Sequence, residues 1–223
     1  MPAPALAPQA AAGDLRLPWR QAAFRRLLAV YLVNGLASAV PATLLLFFVR
    51  DRLQAPAWEP VFLGLYVACG AASLPLWVRA AGVLGLARSW GLGMLLAVAA
   101  FVWAATLGAG DTLAFALVCV ASGAALGADL ALPAALLAGA VQQAGHAGRH
   151  EGAYFGWWNF ASKLNLALAA GLALPLLQAL GYRSGQPDAQ GLQALSITYA
   201  LLPCALKLLA ALLLWRLLLR GTP

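Results

Sequence analysis

The sequence predicts an all-α membrane protein with six transmembrane helices. Of its 223 residues, 63% are apolar and only 9% are charged. Soluble domains run at about 45–50% apolar and about 25% charged, so this chain has too few charges to cover a water-facing surface. Its apolar stretches are also long enough to cross a bilayer, which takes about 20 residues of helix.

Six stretches reach that length. In chain order they are Leu27–Val49, Pro60–Val78, Trp90–Leu107, Thr112–Leu137, Tyr154–Leu180 and Ala194–Trp215. Each is continuously apolar, which favours helices over the short alternating segments of a transmembrane β-barrel. The sequence therefore predicts a helical bundle over residues 27–219.

The first 26 residues predict a flexible leader with a basic cytoplasmic flank. Residues 1–13 are rich in Ala and Pro, and Arg16, Arg20, Arg25 and Arg26 come after them. A signal peptide places its positive charges before its apolar region, so this segment is not one. A short cytoplasmic tail is expected over residues 220–223.

The arginines predict that both termini are cytoplasmic. In that orientation the cytoplasmic side carries nine basic residues and the opposite side three. The nine are Arg16, Arg20, Arg25, Arg26, Arg79, Arg88, Arg149, Arg216 and Arg220, and the three are Arg50, Arg52 and Arg183. Cytoplasmic loops of membrane proteins carry an excess of Lys and Arg, which selects this orientation.

Several classes of function are excluded by what the sequence lacks. The net charge is +7, but the Lys and Arg residues that produce it lie between apolar stretches and form no basic stripe. No nucleic-acid partner is therefore expected. No phosphate-binding loop ending in Gly-Lys-Ser/Thr occurs, which argues against an ATP-driven pump. His146, His150 and Glu151 lack a further placed ligand, so no metal site is predicted. The chain is expected to be neither an enzyme nor a cofactor binder.

Proline positions hint at an internal repeat. The segment around Pro41 in the first span is similar to that around Pro133 in the fourth, and Pro75 in the second span corresponds to Pro175 in the fifth. Two groups of three spans would be inverted relative to each other, as in many secondary transporters. Chance similarity in an Ala- and Leu-rich sequence is the alternative.

Three charged residues lie inside the predicted spans. Asp129, Lys163 and Lys207 each fall roughly 12–14 Å from the cytoplasmic face at 1.5 Å per residue. Intramembrane charges usually face a cavity or a partner. Asp129 and Lys163 are expected to line a solute path, or else to form a structural ion pair if spans four and five are neighbours. Lys207 could instead extend its stem toward the headgroups.

Polar and aromatic side chains surround Lys163. Trp158 and Asn159 are either contacts for a polyol solute or part of the aromatic belt at the membrane interface, and Trp157 is assigned to that belt. Further candidates for a solute cavity are Asn34 and Thr43 in the first span and Tyr199 in the sixth.

These motifs resemble the glycoside–pentoside–hexuronide:cation symporters, the melibiose-carrier family of the major facilitator superfamily. The similar features are the Gly-Ala-Asp-x-x-x-Pro helix at residues 127–133, the Arg-x-Glu-Gly loop at 149–152, Tyr-Phe-Gly-x-Trp-Asn at 154–159 and Ser-Lys-Leu at 162–164. The segments 31–53 and 74–90 are similar to the seventh helix and the eight-to-nine loop of that family. The resemblance implies the C-terminal half of a twelve-span fold.

The resemblance implies that Lys163 lines a substrate cavity and that the protein resides in a bacterial-type inner membrane. Gly139-Ala140-Val141 departs from the family, where an acidic residue is usual. The family's cation site lies in the other half, so no Na⁺ or H⁺ site is evident in this chain.

Together these observations predict half of a major-facilitator fold that moves a small polar solute, with sugar as the implied class, by alternating access. A non-transporting membrane subunit, or an inert half, is the alternative. The polar face with Asp129 and Lys163 predicts a covering partner, either a second copy or a separate six-span chain; a fragment of a longer protein is the other possibility.

Overall fold

The computed structural model describes residues 15–185 and 188–220, and every regular element among them is a helix. Six of these helices are long and apolar enough to span a membrane, which confirms the predicted number. We name them helix 1 to helix 6: Ala22–Arg52, Pro56–Leu84, Leu86–Ala104, Thr112–Gln143, Glu151–Ala179 and Ala189–Leu219. Of the leader predicted over residues 1–26 and the tail predicted over 220–223, residues 1–14 and 221–223 lie outside the described residues.

Local deviations from α-helix occur in three of the spans. Helix 1 is α-helical over Ala22–Phe47 and ends in a π-turn, Phe48–Arg52. Helix 2 begins with a 3₁₀ turn, Pro56–Trp58, which is followed by the α-helix Glu59–Leu84. Helix 6 consists of two α-segments, Ala189–Ser196 and Leu202–Leu214, each followed by a π-turn, Ile197–Leu201 and Trp215–Leu219. The π-turn in mid-helix 6 ends two residues before Pro203. A proline has no amide proton, and its ring clashes with the carbonyl one turn back. Widening that turn accommodates the proline without ending the helix.

The helices pack in a pattern with internal two-fold symmetry. Helix 4 packs against helices 2 and 3, helix 1 packs against helices 5 and 6, and helices 3 and 6 contact each other. Exchanging helix 1 with 4, 2 with 5 and 3 with 6 leaves these neighbours unchanged. The pattern is that of two inverted three-helix repeats, as the paired prolines predicted.

Contacts between loops and helix ends define two faces of the bundle. At one face, Arg52 Nε donates to the carbonyl of Leu107 at 2.9 Å, and the amide of Gly110 donates to the carbonyl of Leu53 at 3.2 Å. At the other face, the indole of Trp157 donates to the carbonyl of Leu15 at 2.9 Å. Successive helices therefore alternate in direction.

The apolar core consists of two clusters. One gathers Phe24, Trp90, Leu137, Tyr154 and Leu214 near the face that holds the N-terminal segment. The other gathers Leu44, Phe48, Phe62, Phe115 and Tyr199 near the opposite face. In helices 1 and 6, the residues between the members of the two clusters include Asn34 and Lys207, so polar side chains lie midway through the bundle.

Two glycines allow helices 2 and 4 to approach closely. A Cβ on Gly123 would lie 2.5 Å from the carbonyl oxygen of Tyr66, and one on Gly127 would lie 2.0 Å from Oγ of Ser73. Small residues at such crossings let backbones meet in the membrane. The two glycines therefore have a packing role.

Candidate functional site

A network of polar side chains from four helices lies in the middle of the bundle. Its centre is Asp129 of helix 4, whose carboxylate accepts hydrogen bonds from Asn34 and Ser38 of helix 1, Trp90 of helix 3 and Lys207 of helix 6. The helices that supply it are 1, 3, 4 and 6. Among the described residues, no side chain of helix 2 or helix 5 bonds to the Asp129 carboxylate.

The two carboxylate oxygens of Asp129 have different partners. Oδ1 accepts from Nδ2 of Asn34 at 2.9 Å and from Nε1 of Trp90 at 2.8 Å. Oδ2 accepts from Nζ of Lys207 at 2.5 Å and from Oγ of Ser38 at 3.3 Å. An ionised carboxylate offers about four lone-pair positions, so these four donors saturate it.

Lys207 is held in turn by two acceptors. Besides Asp129, its ammonium donates to Oδ1 of Asn34 at 2.8 Å. The Asn34 side chain is thereby oriented, since its oxygen faces the cation and its nitrogen faces the anion. Among the described residues, two acceptors account for two of the three ammonium protons.

Burial makes the network electrostatically strong. The side chain of Lys207 is 5% exposed and that of Asp129 is 13% exposed. A charge in the bilayer interior is costly unless it is paired, and the pair leaves the network with no net charge. The contact fastens helix 6 to helix 4 midway through the membrane.

A small cavity adjoins the ion pair. Its volume of about 20 Å³ holds roughly one water molecule, and Ser38, Tyr66, Ser122, Asp129 and Lys207 supply its polar lining. A second cavity of about 90 Å³ shares Ser38, Tyr66 and Ser122 and extends to Tyr199. The space beside the ion pair is thus limited to these two small cavities.

A second cluster joins helices 1 and 5. The ring of Trp158 stacks on that of Tyr31 with centroids 3.6 Å apart, and the Tyr31 hydroxyl lies 2.6 Å from Oγ of Ser162. Next to it, Asn165 is 4% exposed and fills the space left by Gly35, where a Cβ would lie 2.1 Å from its Nδ2. These contacts fix helix 5 against helix 1.

Lys163 and Asn159 lie on the outer side of helix 5. Both are exposed, one turn apart. Within the described residues no carboxylate pairs with Lys163. Because helix 5 packs against helix 1 rather than helix 4, the possible Asp129–Lys163 pair is wrong, and Asp129 pairs with Lys207 instead.

A third polar contact lies on the face that carries Arg50 and Arg52. The hydroxyl of Tyr182, in the segment between helices 5 and 6, donates to Oδ2 of Asp51 at the end of helix 1. Tyr182 is 2% exposed. Burial and this hydrogen bond raise the pKa of Tyr182 above its usual value.

The loop between helices 4 and 5 holds a histidine–tyrosine contact. Nδ1 of His146 lies 2.7 Å from the hydroxyl of Tyr154, and the rings of His146 and His150 are 5.5 Å apart. Among the described residues no group of three His, Cys, Asp or Glu side chains could hold a metal ion.

A family model described as MFS/sugar transport protein matches residues 6–220. The chain belongs to this family. Its helices are thus those of a major-facilitator protein, and their two inverted repeats of three make up half of a major-facilitator fold. No protein of curated function matches the chain in a sequence search.

The structure of this MFS/sugar transport family member brings together only part of the predicted site. Asn34 and Asp129 meet in the central network, and Tyr199 lines the adjoining cavity, where it also stacks on Phe48 with ring centroids 4.1 Å apart. Trp158 is 7% exposed and lies at the interface with helix 1. Thr43 bonds the carbonyl of Ala39 in its own helix at 2.9 Å.

Sequence reasoning missed three members of the network. Lys207 does not extend toward the headgroups, as its long stem would have allowed, but is buried against Asp129; the equal depth of the two residues is the signal that could have paired them. Trp90 begins a predicted span, as an interfacial tryptophan would, yet its indole turns inward and is fully buried. Ser38 lies one turn after Asn34, on the same face of helix 1.

Proposed function

We propose that the chain is one six-helix half of a secondary transporter for a small polar solute, a sugar or glycoside being the class that the family description supports. The observation that carries the proposal is the position of Lys163 with Asn159 on the outer side of helix 5, deep within a membrane span. A charge there is unfavourable in lipid, so this face borders either a water-filled path or another protein surface.

Small residues extend along the same side of helix 5. A Cβ on Gly152, Gly156 or Gly171 would meet nothing within 4 Å. Helix 2, its equivalent in the other repeat, has the same property at Gly64 and Gly82, and it is the least buried of the six spans. Such faces favour close packing of a further membrane helix.

The covering partner is a second six-helix half, present as a second copy of this chain or as a separate chain. The solute path then lies between the two halves, with Lys163 and Asn159 on its wall, and alternating access follows from rocking of one half against the other. The two cavities beside the ion pair measure only about 20 and about 90 Å³, which is in keeping with a solute site between halves.

The proposal includes two finer assignments. The melibiose-carrier motifs between residues 123 and 182 support a place among the glycoside–cation symporters and the C-terminal half of their fold. The excess of arginine on the side of the termini supports a cytoplasmic location for both ends in a bacterial-type inner membrane.

Counterflow uptake into liposomes tests the proposal. The purified chain is reconstituted and preloaded with unlabelled sugar, and uptake of labelled mono- and disaccharides is measured. Lys163→Ala is expected to abolish uptake without loss of folded protein. Leu172→Ala, which removes an exposed apolar side chain from the same helix, is the matched control and should transport normally.

Native mass spectrometry in mild detergent accompanies the uptake assay. Dimers, or a stable complex with a second six-span chain, are expected. A strictly monomeric chain that still transports would contradict the need for a covering half. A folded, inserted chain that moves none of the sugars, alone or with its partner, would favour the non-transporting subunit.

A further inference from the structure

The ammonium of Lys207 occupies a point on which oxygen atoms from two helices converge. Oδ2 of Asp129 lies 2.5 Å from Nζ, and Oδ1 of Asn34 lies 2.8 Å from it. Ser38 Oγ also contacts the same carboxylate oxygen, at 3.3 Å. Carboxylate, amide and hydroxyl oxygens are the ligands that hard metal cations prefer.

We propose that this point is a monovalent cation site whose resident cation is the Lys207 ammonium, and that a sodium ion binds there when the ammonium is removed. The lysine is then a counter-cation tethered to helix 6. Its partners Asp129 and Asn34 form the ligand set, and Trp90 holds the other carboxylate oxygen in place.

The charge of the network selects a monovalent cation. Asp129 is its one anionic group and Lys207 its one cationic group, and the remaining partners, Asn34, Ser38 and Trp90, are neutral. Replacing the ammonium by one alkali cation keeps the buried site neutral. A divalent ion would leave a net positive charge in the bilayer interior, which is unfavourable.

The space around the ammonium fits the same exchange. The adjoining cavity of about 20 Å³ already admits about one water molecule, and the hydroxyl groups of Ser38, Ser122 and Tyr66 line it. Shortening Lys207 to alanine removes its stem and enlarges this cavity beside Asp129. A sodium ion there would keep a water ligand besides the protein oxygens.

This inference rests on the proposed function only for its consequence in transport. If the chain moves a polar solute, the solute passes between the halves with no sodium ion at Asp129, because the lysine already neutralises that carboxylate. Coupling to sodium would then require ligands outside this network.

Thermal unfolding of the purified chain in detergent tests the site without any transport assay. Wild type, Lys207→Ala and the matched control Asp129→Asn/Lys207→Ala are compared in sodium chloride and in choline chloride of equal ionic strength. The melting temperature of Lys207→Ala is expected to rise with sodium concentration, as it must when a ligand binds the folded state alone. Wild type and the double variant should melt at the same temperature in both salts.

Each other result overturns the proposal. A sodium-dependent shift in the double variant would place the ion elsewhere, and a shift in wild type would show that the ammonium does not exclude it. Stabilisation of Lys207→Ala by acid alone would mean that a proton replaces the ammonium. Failure of Lys207→Ala to fold in sodium as well as in choline would show that sodium does not take its place.

Absence of sugar uptake by the wild-type chain would count against the proposed function and would leave the sodium result unaffected. The two proposals therefore fail separately.

Discussion

Lys207 of helix 6 and Asp129 of helix 4 lie 78 residues apart in the chain, and their Nζ and Oδ2 atoms are 2.5 Å apart midway through the bundle. Asn34 bridges them from helix 1, because its amide oxygen accepts from the lysine and its nitrogen donates to the carboxylate. One buried pair thus links three helices from both repeats. Among the described residues, it is more buried than the ion pair between Arg50 and Glu59.

Breaking the pair from one side is expected to destabilise the bundle more than removing it altogether. Asp129→Ala and Lys207→Ala, compared in choline buffer, should each lower the free energy of unfolding by about 3–5 kcal/mol, because each leaves an uncompensated buried charge. The double variant should lose clearly less than the sum. Chemical unfolding followed by circular dichroism measures all three, and additive losses would contradict an interacting pair.

Trp90 is expected to matter through its indole proton. Trp90→Phe keeps an aromatic ring in the core and removes the donor to Asp129, which should lower the free energy of unfolding by about 1.5–3 kcal/mol, the range for hydrogen bonds to charged groups. Trp103→Phe on the same helix is the control, since that side chain is 41% exposed. Equal losses in both variants would mean that the Trp90 hydrogen bond contributes nothing.

Apolar length predicted the spans correctly because bilayer thickness fixes how long a crossing helix must be. The partner of Asp129 could not be found in the same way. Lys163 and Lys207 lie at the same predicted depth as Asp129, so depth does not decide which lysine pairs with it. The pairing depends on which helices are neighbours. That adjacency is set by side-chain packing across the bundle, as at Trp158 on Tyr31, and no single-sequence pattern encodes it.

Close packing of helices 2 and 4 is expected to tolerate no methyl group at Gly123. A Cβ there would lie 2.5 Å from the backbone oxygen of Tyr66, so Gly123→Ala forces the helices apart and should cost about 1–3 kcal/mol. Gly139→Ala on the same helix meets nothing within 4 Å and is expected to be neutral or stabilising. Thermal melts in detergent compare them, and a harmless Gly123→Ala would contradict the close approach.

The orientation can be checked by labelling single cysteines in whole cells. Cys69, Cys119 and Cys204 are first replaced, and Ser184→Cys or Ala147→Cys is then introduced; both positions are exposed and lie in different connecting segments. With the termini in the cytoplasm, an impermeant maleimide should label position 184 in intact cells and position 147 only after lysis. The reverse result would contradict the orientation that the arginines predict, and equal labelling would contradict an odd number of spans between 147 and 184.

The contact between Tyr182 and Asp51 should give a stability difference that disappears in alkali. Tyr182→Phe keeps the ring and removes the donor to the carboxylate, so below pH of about 10 the wild type should be more stable by about 1.5–3 kcal/mol. Burial and the hydrogen bond raise the pKa of Tyr182 in the folded protein, so the protonated tyrosine favours the folded state. The advantage of wild type is therefore complete below the unfolded pKa of about 10 and is lost as the pH rises through the higher folded value. Unfolding of both proteins across the alkaline range measures the difference between their free energies of unfolding. The titration of other groups cancels in that difference. A gap that stays constant or widens above pH of about 10 would show that the hydroxyl proton does not hold this contact.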